Sequence, residues 1–128
     1  MRDTDRTLQR IEVVNTGRLS GGRPILRLLR PLIYSPGCDE DDVVIPAGFE
    51  TDCSSVPRLL WRVAAPWDAI EPGVIHDYLY RRQARCPRAK ADRTYRVAMR
   101  DYGVVWWRRE LMYLAVRIFG WAAYQKRD

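Results

Sequence analysis

The stretch His76-Asp77-Tyr78-Leu79-Tyr80, followed by Ala91-Asp92, decides how the C-terminal half of this chain is expected to fold. His76 is the only histidine among the 128 residues, and a carboxylate follows it directly. Residues four apart lie on one face of a helix, so His76 and Tyr80 are predicted to share a face. An imidazole beside acidic groups can activate a water molecule. If the protein is an enzyme, we expect its chemistry here.

Two helices are predicted around this stretch, Val74 to Arg82 and Ala89 to Tyr102, and Gly103 ends the second. The connection between them is short, which favours antiparallel packing of the two helices. We therefore expect Asp92 to face back toward His76.

A last helix is predicted from about Val104 to Tyr124, because large apolar residues recur there at helical spacing. The apolar stripe consists of Trp107, Leu111, Leu114, Ile118 and Trp121. We interpret this segment as a core helix with an aromatic rim. The alternatives are a helix at a membrane surface and a protein interface that uses Trp106, Trp107 and Trp121.

The N-terminal part is predicted to contain β structure. Residues 1–23 are expected to form an arm with one short strand, Ile11 to Asn15. A strand is predicted from Pro24 to Tyr34, at an edge or interrupted at Pro31, because proline cannot donate to a sheet. A further short strand is predicted at Val43 to Ile45.

A short helix is predicted from Pro57 to Ala64, capped by Ser54 or Ser55. The predicted class is therefore α+β, with a small N-terminal β hairpin packed on a mostly helical C-terminal part that contains the antiparallel helix pair. Residues 24–128 are expected to form a single domain.

Charge and composition limit the classes of binding partner but do not identify one. The net charge is +6, which favours anionic surfaces. Three cysteines without close spacing indicate no disulfide framework, and the charged start shows no secretory signal, so synthesis in a reducing cytoplasm is expected. No uncharged run reaches transmembrane length, so no transmembrane segment is expected.

A single histidine excludes most hydrolytic sites. Phosphohydrolases with His-Asp motifs and zinc peptidases need more histidines, and no Gly-x-Ser-x-Gly motif supports a serine triad. A cysteine–histidine pair that uses Cys53 or Cys86 is possible on composition, without a supporting signature.

One arrangement works with a single histidine: His76 takes a proton from water and Asp92 accepts the other ring N–H. Asp77 and backbone carbonyls would bind Ca²⁺, and Tyr80 would hydrogen-bond Asp92. The alternative is a buried structural network around His76.

The arrangement resembles the phospholipase A2 superfamily. The matching patterns are His76-Asp77-x-x-Tyr80 and Ala91-Asp92-x-x-Tyr95. The resemblance implies that His76 is the base, that Asp77 binds Ca²⁺ and that Asp92 orients the histidine. The glycine-rich calcium loop of that superfamily has no counterpart directly before this helix.

A second resemblance covers about residues 44–120. The patterns are Phe49-x-Thr51-Asp52-x-x-Ser55-Val56-Pro57, His76-Asp77-x-x-Tyr80 and Ala91-Asp92. They resemble a family of small uncharacterised proteins of tailed bacteriophages and prophages, which implies a phage protein made in the host cytoplasm. Within this resemblance Thr51, Asp52 and Ser55 lie in a loop near the site, and Asp52 would replace the missing calcium loop as a ligand.

Three functions stay open at this point. The first is a Ca²⁺-dependent hydrolase of phospholipase A2 type, acting on lipid or another ester during lysis or host penetration. The second is a component of the virion, at the tail or neck, or of its assembly. The third is a binding protein that modulates the host. The expected partners are phage structural or assembly proteins, or a lipid surface, while nucleic acid is less favoured.

Overall fold

The computed structural model describes residues 8–37, 41–52 and 70–125. The chain divides into two compact units, Met1–Asp52 and Cys53–Asp128. In the described residues the first unit is antiparallel β structure and the second is helical, which confirms the predicted α+β class. The helix predicted from Pro57 to Ala64, with its serine cap, lies outside the described residues.

The first unit begins with a β hairpin. Strand β1 (Val13–Ser20) pairs antiparallel with β2 (Arg23–Leu28), and Ser20 lies opposite Arg23. Gly21 and Gly22 form the two-residue turn at φ values of +57° and +82°. Such a turn needs positive φ at both positions, which glycine adopts without strain. The segment predicted as an arm therefore contains a strand that is longer than predicted. It pairs with β2 on both sides of an irregularity between Asn15 and Leu19.

The strand predicted from Pro24 to Tyr34 is two strands. It breaks after Leu28, and β3 (Leu32–Tyr34) belongs to a separate two-stranded sheet with β4 (Val43–Ile45). Pro31 lies in the break, where a missing backbone N–H removes no ladder hydrogen bond. The predicted interruption at Pro31 and the predicted strand at Val43 to Ile45 are confirmed.

A short strand, β5 (Glu50–Thr51), completes the first sheet by pairing antiparallel with β2. Leu26 lies opposite Thr51 and Arg27 opposite Glu50. The apolar side chains buried in this unit are Leu28, Leu32, Tyr34, Ile45 and Phe49.

Three α-helices are described in the second unit: α1 (Glu71–Tyr80), α2 (Arg88–Asp101) and α3 (Trp106–Gln125). A short 3-10 helix, Arg82–Ala84, follows α1. Helix α1 begins at Glu71, before the predicted start at Val74, because Pro72 fits the first turn of a helix, where its missing N–H is not needed. It also ends earlier, since Arg81 has extended backbone.

The helices pack in chain order, α1 against α2 and α2 against α3. Tyr95 and Met99 of α2 form a buried cluster with Met112 and Val116 of α3. Gly103 follows α2 at a φ of +88°, and the predicted helix end at this glycine is confirmed. The connection then returns α3 along α2.

The apolar stripe predicted to be the core face of α3 is exposed, so that prediction was wrong. Trp107, Leu111, Leu114, Ile118 and Trp121 are between 37% and 55% exposed. The buried face instead carries Met112, Ala115, Val116 and Gly120. Apolar side chains occupy most of the circumference of α3. The face with the smaller side chains packs on α2, because it lets the two helices come closer than the face with the tryptophans would. In the part of the chain that the structure describes, no helix combines the length and apolarity needed to cross a membrane.

Candidate active site

The predicted contact between His76 and Asp92 is confirmed. His76 Nε2 lies 2.7 Å from Asp92 Oδ1, and neither side chain is exposed to solvent. His76 lies on α1, and Asp92 lies on α2, four residues after the first residue of that helix, Arg88. Packing of α1 against α2 thus creates the pair.

The hydrogen bond fixes the tautomer of His76. An ionised carboxylate has only acceptor atoms, so the proton between the two groups belongs to Nε2. In the neutral ring Nδ1 is then the basic nitrogen. The ring therefore has the tautomer and the carboxylate partner that a histidine base requires.

Tyr80 binds the same carboxylate oxygen. Its hydroxyl donates to Asp92 Oδ1 at 2.6 Å, which confirms the predicted contact. The His76 ring lies between two tyrosine rings, with centroid distances of 4.2 Å to Tyr80 and 4.5 Å to Tyr95. Burial, and then the hydrogen bond to Asp92, raise the pKa of Tyr80 far above its ordinary value, so the phenol stays a donor.

The other oxygen of Asp92 is bound from α3. Arg117 Nη1 donates to Asp92 Oδ2 at 2.8 Å. Arg88 Nε lies 3.9 Å from the same oxygen, while Arg88 Nη2 donates to the Val116 carbonyl at 2.8 Å. Asp92 is thus held by side chains from all three described α-helices.

The charge of Asp92 is stabilised despite its burial. Burial alone would raise the pKa of this carboxyl group, but the hydrogen bonds from His76, Tyr80 and Arg117 outweigh it and hold the pKa below its ordinary value. Asp92 is therefore ionised at neutral pH, as the orientation of His76 requires.

Asp77, the predicted calcium ligand, is paired with an arginine. Arg81 Nη2 donates to Asp77 Oδ2 at 3.2 Å, and the Asp77 side chain is only 7% exposed. The two residues are four apart on the chain, the spacing at which helical side chains form ion pairs. A cation at Asp77 would have to compete with the guanidinium group.

The remaining predicted metal and loop residues belong to other parts of the chain. Thr51, which is buried, and Asp52, which is half-buried, belong to the first compact unit. Ser55 lies outside the described residues. Among the residues that are described, no group of three or more His, Cys, Asp or Glu side chains could hold a metal ion.

Sequence reasoning missed four residues around this centre. Arg81 and Arg88 are each four residues from the carboxylate that they accompany, so the helical ion-pair spacing was available as a signal. Arg117 and Gly120 come from α3, and no local pattern relates them to Asp92 or Tyr80. Only the packing of α3 brings them there.

The predicted interface tryptophans are at the surface. Trp106, Trp107 and Trp121 are 66%, 44% and 55% exposed. They lie on α3 and take no part in the described His76–Asp92 network. Their exposure is what an interface requires, and no bound partner identifies one.

Comparison with known proteins places the chain by family alone. A family model described as protein of unknown function (DUF1353) matches residues 26–116. Neither a curated protein nor a solved structure matches the chain. The match covers about half of the first compact unit and most of the second. It includes His76, Tyr80 and Asp92 and ends just before Arg117.

Proposed function

The chain belongs to the DUF1353 family of proteins of unknown function, and we propose that its buried His76–Asp92 pair activates water to hydrolyse an ester. The observation that carries this proposal is the hydrogen bond from His76 Nε2 to Asp92 Oδ1, with Tyr80 on the same oxygen. We propose a lipid ester as the substrate and a phage or prophage as the source, in keeping with the phospholipase A2-like pattern of the sequence.

The proposed reaction needs only water and the ester. A water molecule at Nδ1 gives one proton to His76 while its oxygen attacks the ester carbonyl. Asp92 stabilises the positive charge that forms on the ring. The proton then passes to the departing alkoxide, so that an acid and an alcohol are released and the histidine is again neutral.

Burial sets a condition on this reaction. The His76 side chain is completely buried. A substrate therefore reaches Nδ1 only when the residues over the ring move, which is common where a site must exclude bulk water. The hydrophobic surroundings also strengthen the interaction between the imidazolium ion and Asp92.

Calcium remains a proposed cofactor, with Asp77 as its proposed ligand in the helical unit. The described residues alone do not fit a calcium ion. Arg81 is paired with the Asp77 carboxylate, and the described residues contain no cluster of acidic groups that could hold a metal ion. No step above runs through a metal. Calorimetric titration of the wild type and of Asp77→Asn with Ca²⁺ tests this part. Binding that is lost in Asp77→Asn supports a calcium site at Asp77, and equal heats for the two proteins argue against that site.

The hydrolysis test uses the purified full chain. Phospholipid vesicles and p-nitrophenyl esters are supplied with and without Ca²⁺, and release of acid is measured. We expect His76→Gln and Asp92→Asn each to lower the rate by about a hundredfold or more. Glu110→Gln is the matched control, since it neutralises an exposed acid that pairs with Arg96 outside the centre. Wild-type protein without activity, or full activity in His76→Gln, would end the proposal.

The exposed face of α3 favours a second candidate, a component of a phage virion or of its assembly. Large apolar patches on soluble proteins commonly mark contacts with other subunits. Mass spectrometry of purified virions of the encoding phage distinguishes the two parts of this candidate. Stoichiometric amounts in the particle would support a virion component, whereas presence only in assembly intermediates would support an assembly factor.

A further inference from the structure

We propose that α3 pairs antiparallel with α3 of a second copy of this chain. The contact is the exposed apolar face of the helix, which we call the α3 seam. It consists of Trp107, Leu111, Leu114, Ile118 and Trp121. The inference does not depend on the proposed hydrolysis, because none of these residues contributes to the described His76–Asp92 network.

The spacing of the α3 seam points to another helix as the partner. Its members follow one another by four, three, four and three residues. This alternation is that of the two apolar positions of a heptad repeat, whose average period of 3.5 residues keeps one seam facing a partner helix. A flat lipid surface or an irregular protein surface imposes no such repeat.

The second copy supplies the matching surface. The α3 seam carries no charge, and the small, half-buried Ala122 borders it, where another backbone can come close. The outward side of α2 is instead lined with arginines, at Arg93, Arg96 and Arg100. Among the described helices, the one with a complementary apolar seam is α3 itself, and a two-fold pair uses the same patch on both partners.

Charge favours the antiparallel orientation. Arg108 borders the α3 seam in the first turn of the helix, and its guanidinium lies 5.2 Å from the centroid of the Trp107 ring. In an antiparallel pair Arg108 lies beside the last turn of the partner helix, whose carbonyl groups carry partial negative charge. In a parallel pair both Arg108 side chains would lie at the same, positive end.

Analytical ultracentrifugation of the full chain tests the pairing. We expect twice the chain mass of 15.0 kDa for the wild type. Leu114→Glu should yield the monomer, with dimerisation at least about a hundredfold weaker, because it buries two unpaired carboxylates. Leu19→Glu is the matched control: Leu19 is also an exposed leucine, at 69%, but lies on β1. Circular dichroism shows whether each variant keeps its helices.

Two results would overturn the pairing. One is a wild-type chain that remains monomeric up to about 100 µM, a concentration at which even a weak specific dimer forms. The other is a folded Leu114→Glu chain with the mass and affinity of the wild-type dimer.

Cross-linking tests the orientation. In a chain whose native cysteines are replaced by serine and which remains dimeric, Trp107→Cys and Trp121→Cys are introduced separately. We expect the two variants to form a disulfide with each other when mixed, because opposite ends meet in an antiparallel pair. A disulfide-linked dimer of Trp107→Cys alone would overturn the antiparallel orientation.

Discussion

The hydroxyl of Tyr80 lies so close to the backbone of Gly120 that a Cβ atom added at Gly120 would be 2.5 Å from it. The same hydroxyl donates to Asp92, so the absence of a side chain on α3 leaves the space that this hydrogen bond needs. The Tyr80 ring is buried and cannot swing into solvent. A glycine within a helix, which is normally unfavourable, is thereby explained by the centre beside it.

Gly120→Ala is expected to lower the free energy of unfolding by about 1–2 kcal/mol. Alanine gains up to about 1 kcal/mol of helix propensity, but displacing the phenol loses a hydrogen bond to a charged group, worth about 1.5–3 kcal/mol. Denaturant unfolding measures the change. In a Tyr80→Phe background the obstructed hydroxyl is gone, so the same substitution should be neutral or stabilising. An equal loss in both backgrounds would contradict the role of the hydroxyl.

Arg117→Met is expected to destabilise the protein by about 1–3 kcal/mol, because it leaves Oδ2 of a buried carboxylate without its closest cationic donor. The matched control is Arg96→Met, which breaks an exposed, solvent-screened ion pair with Glu110 and should change the stability much less. Both changes remove one arginine, and thermal or denaturant unfolding compares them. If the two variants lose the same stability, Arg117 contributes no more than a surface ion pair.

The stability contributed by Asp92 is expected to disappear in acid. Its pKa is lowered in the folded state, so the unfolded chain takes up the proton first as the pH falls. The contribution is complete above about pH 5 and decreases as the pH falls below the ordinary carboxyl pKa of about 3.9. The difference in unfolding free energy between wild type and Asp92→Asn should therefore shrink from pH 7 to pH 3.

Glu110→Gln provides the comparison for this titration. Hydrogen bonding from Arg96 also lowers the pKa of Glu110, but solvent screens that exposed pair. Its pH dependence should be much weaker than that of Asp92→Asn. A constant difference between wild type and Asp92→Asn over the whole range would contradict a lowered pKa at Asp92.

Arg81→Gln is expected to increase Ca²⁺ affinity severalfold if Asp77 is a calcium ligand. The guanidinium group competes with a cation for the same carboxylate, and the substitution removes this competitor. Calorimetric titration measures the affinity. Arg82→Gln, which removes a neighbouring positive charge but leaves the Arg81–Asp77 pair, is the control. Equal affinities of Arg81→Gln and Arg82→Gln would argue against Asp77 as a ligand.

Much of the helical unit could be predicted because its signals are local. The four-residue spacing of His76 and Tyr80 determines their common face, and a short connection between two helices brings Asp92 back to them. The structure confirms both contacts to Asp92. The Gly21-Gly22 pair is an equally local signal for a hairpin turn, but the prediction of an arm did not include this turn.

The burial of α3 could not be predicted in the same way. Apolar residues at helical spacing show which side chains form a stripe, but not which stripe meets the rest of the protein. Here the face with Met112 and Val116 packs on α2, while the stripe that contains Leu114 is exposed. The choice depends on how closely two helices can approach, which is a property of both surfaces.

By itself the sequence determined the α+β class, the helix pair and the meeting of His76, Asp92 and Tyr80, because spacing along a helix and the length of a connection act over a few residues. Only the tertiary structure decided that Arg117 donates to the Asp92 carboxylate and that Gly120 leaves space for the Tyr80 hydroxyl. These residues lie 25 and 40 positions from the groups they contact. Their meeting follows from the packing of three helices together, which no local pattern contains.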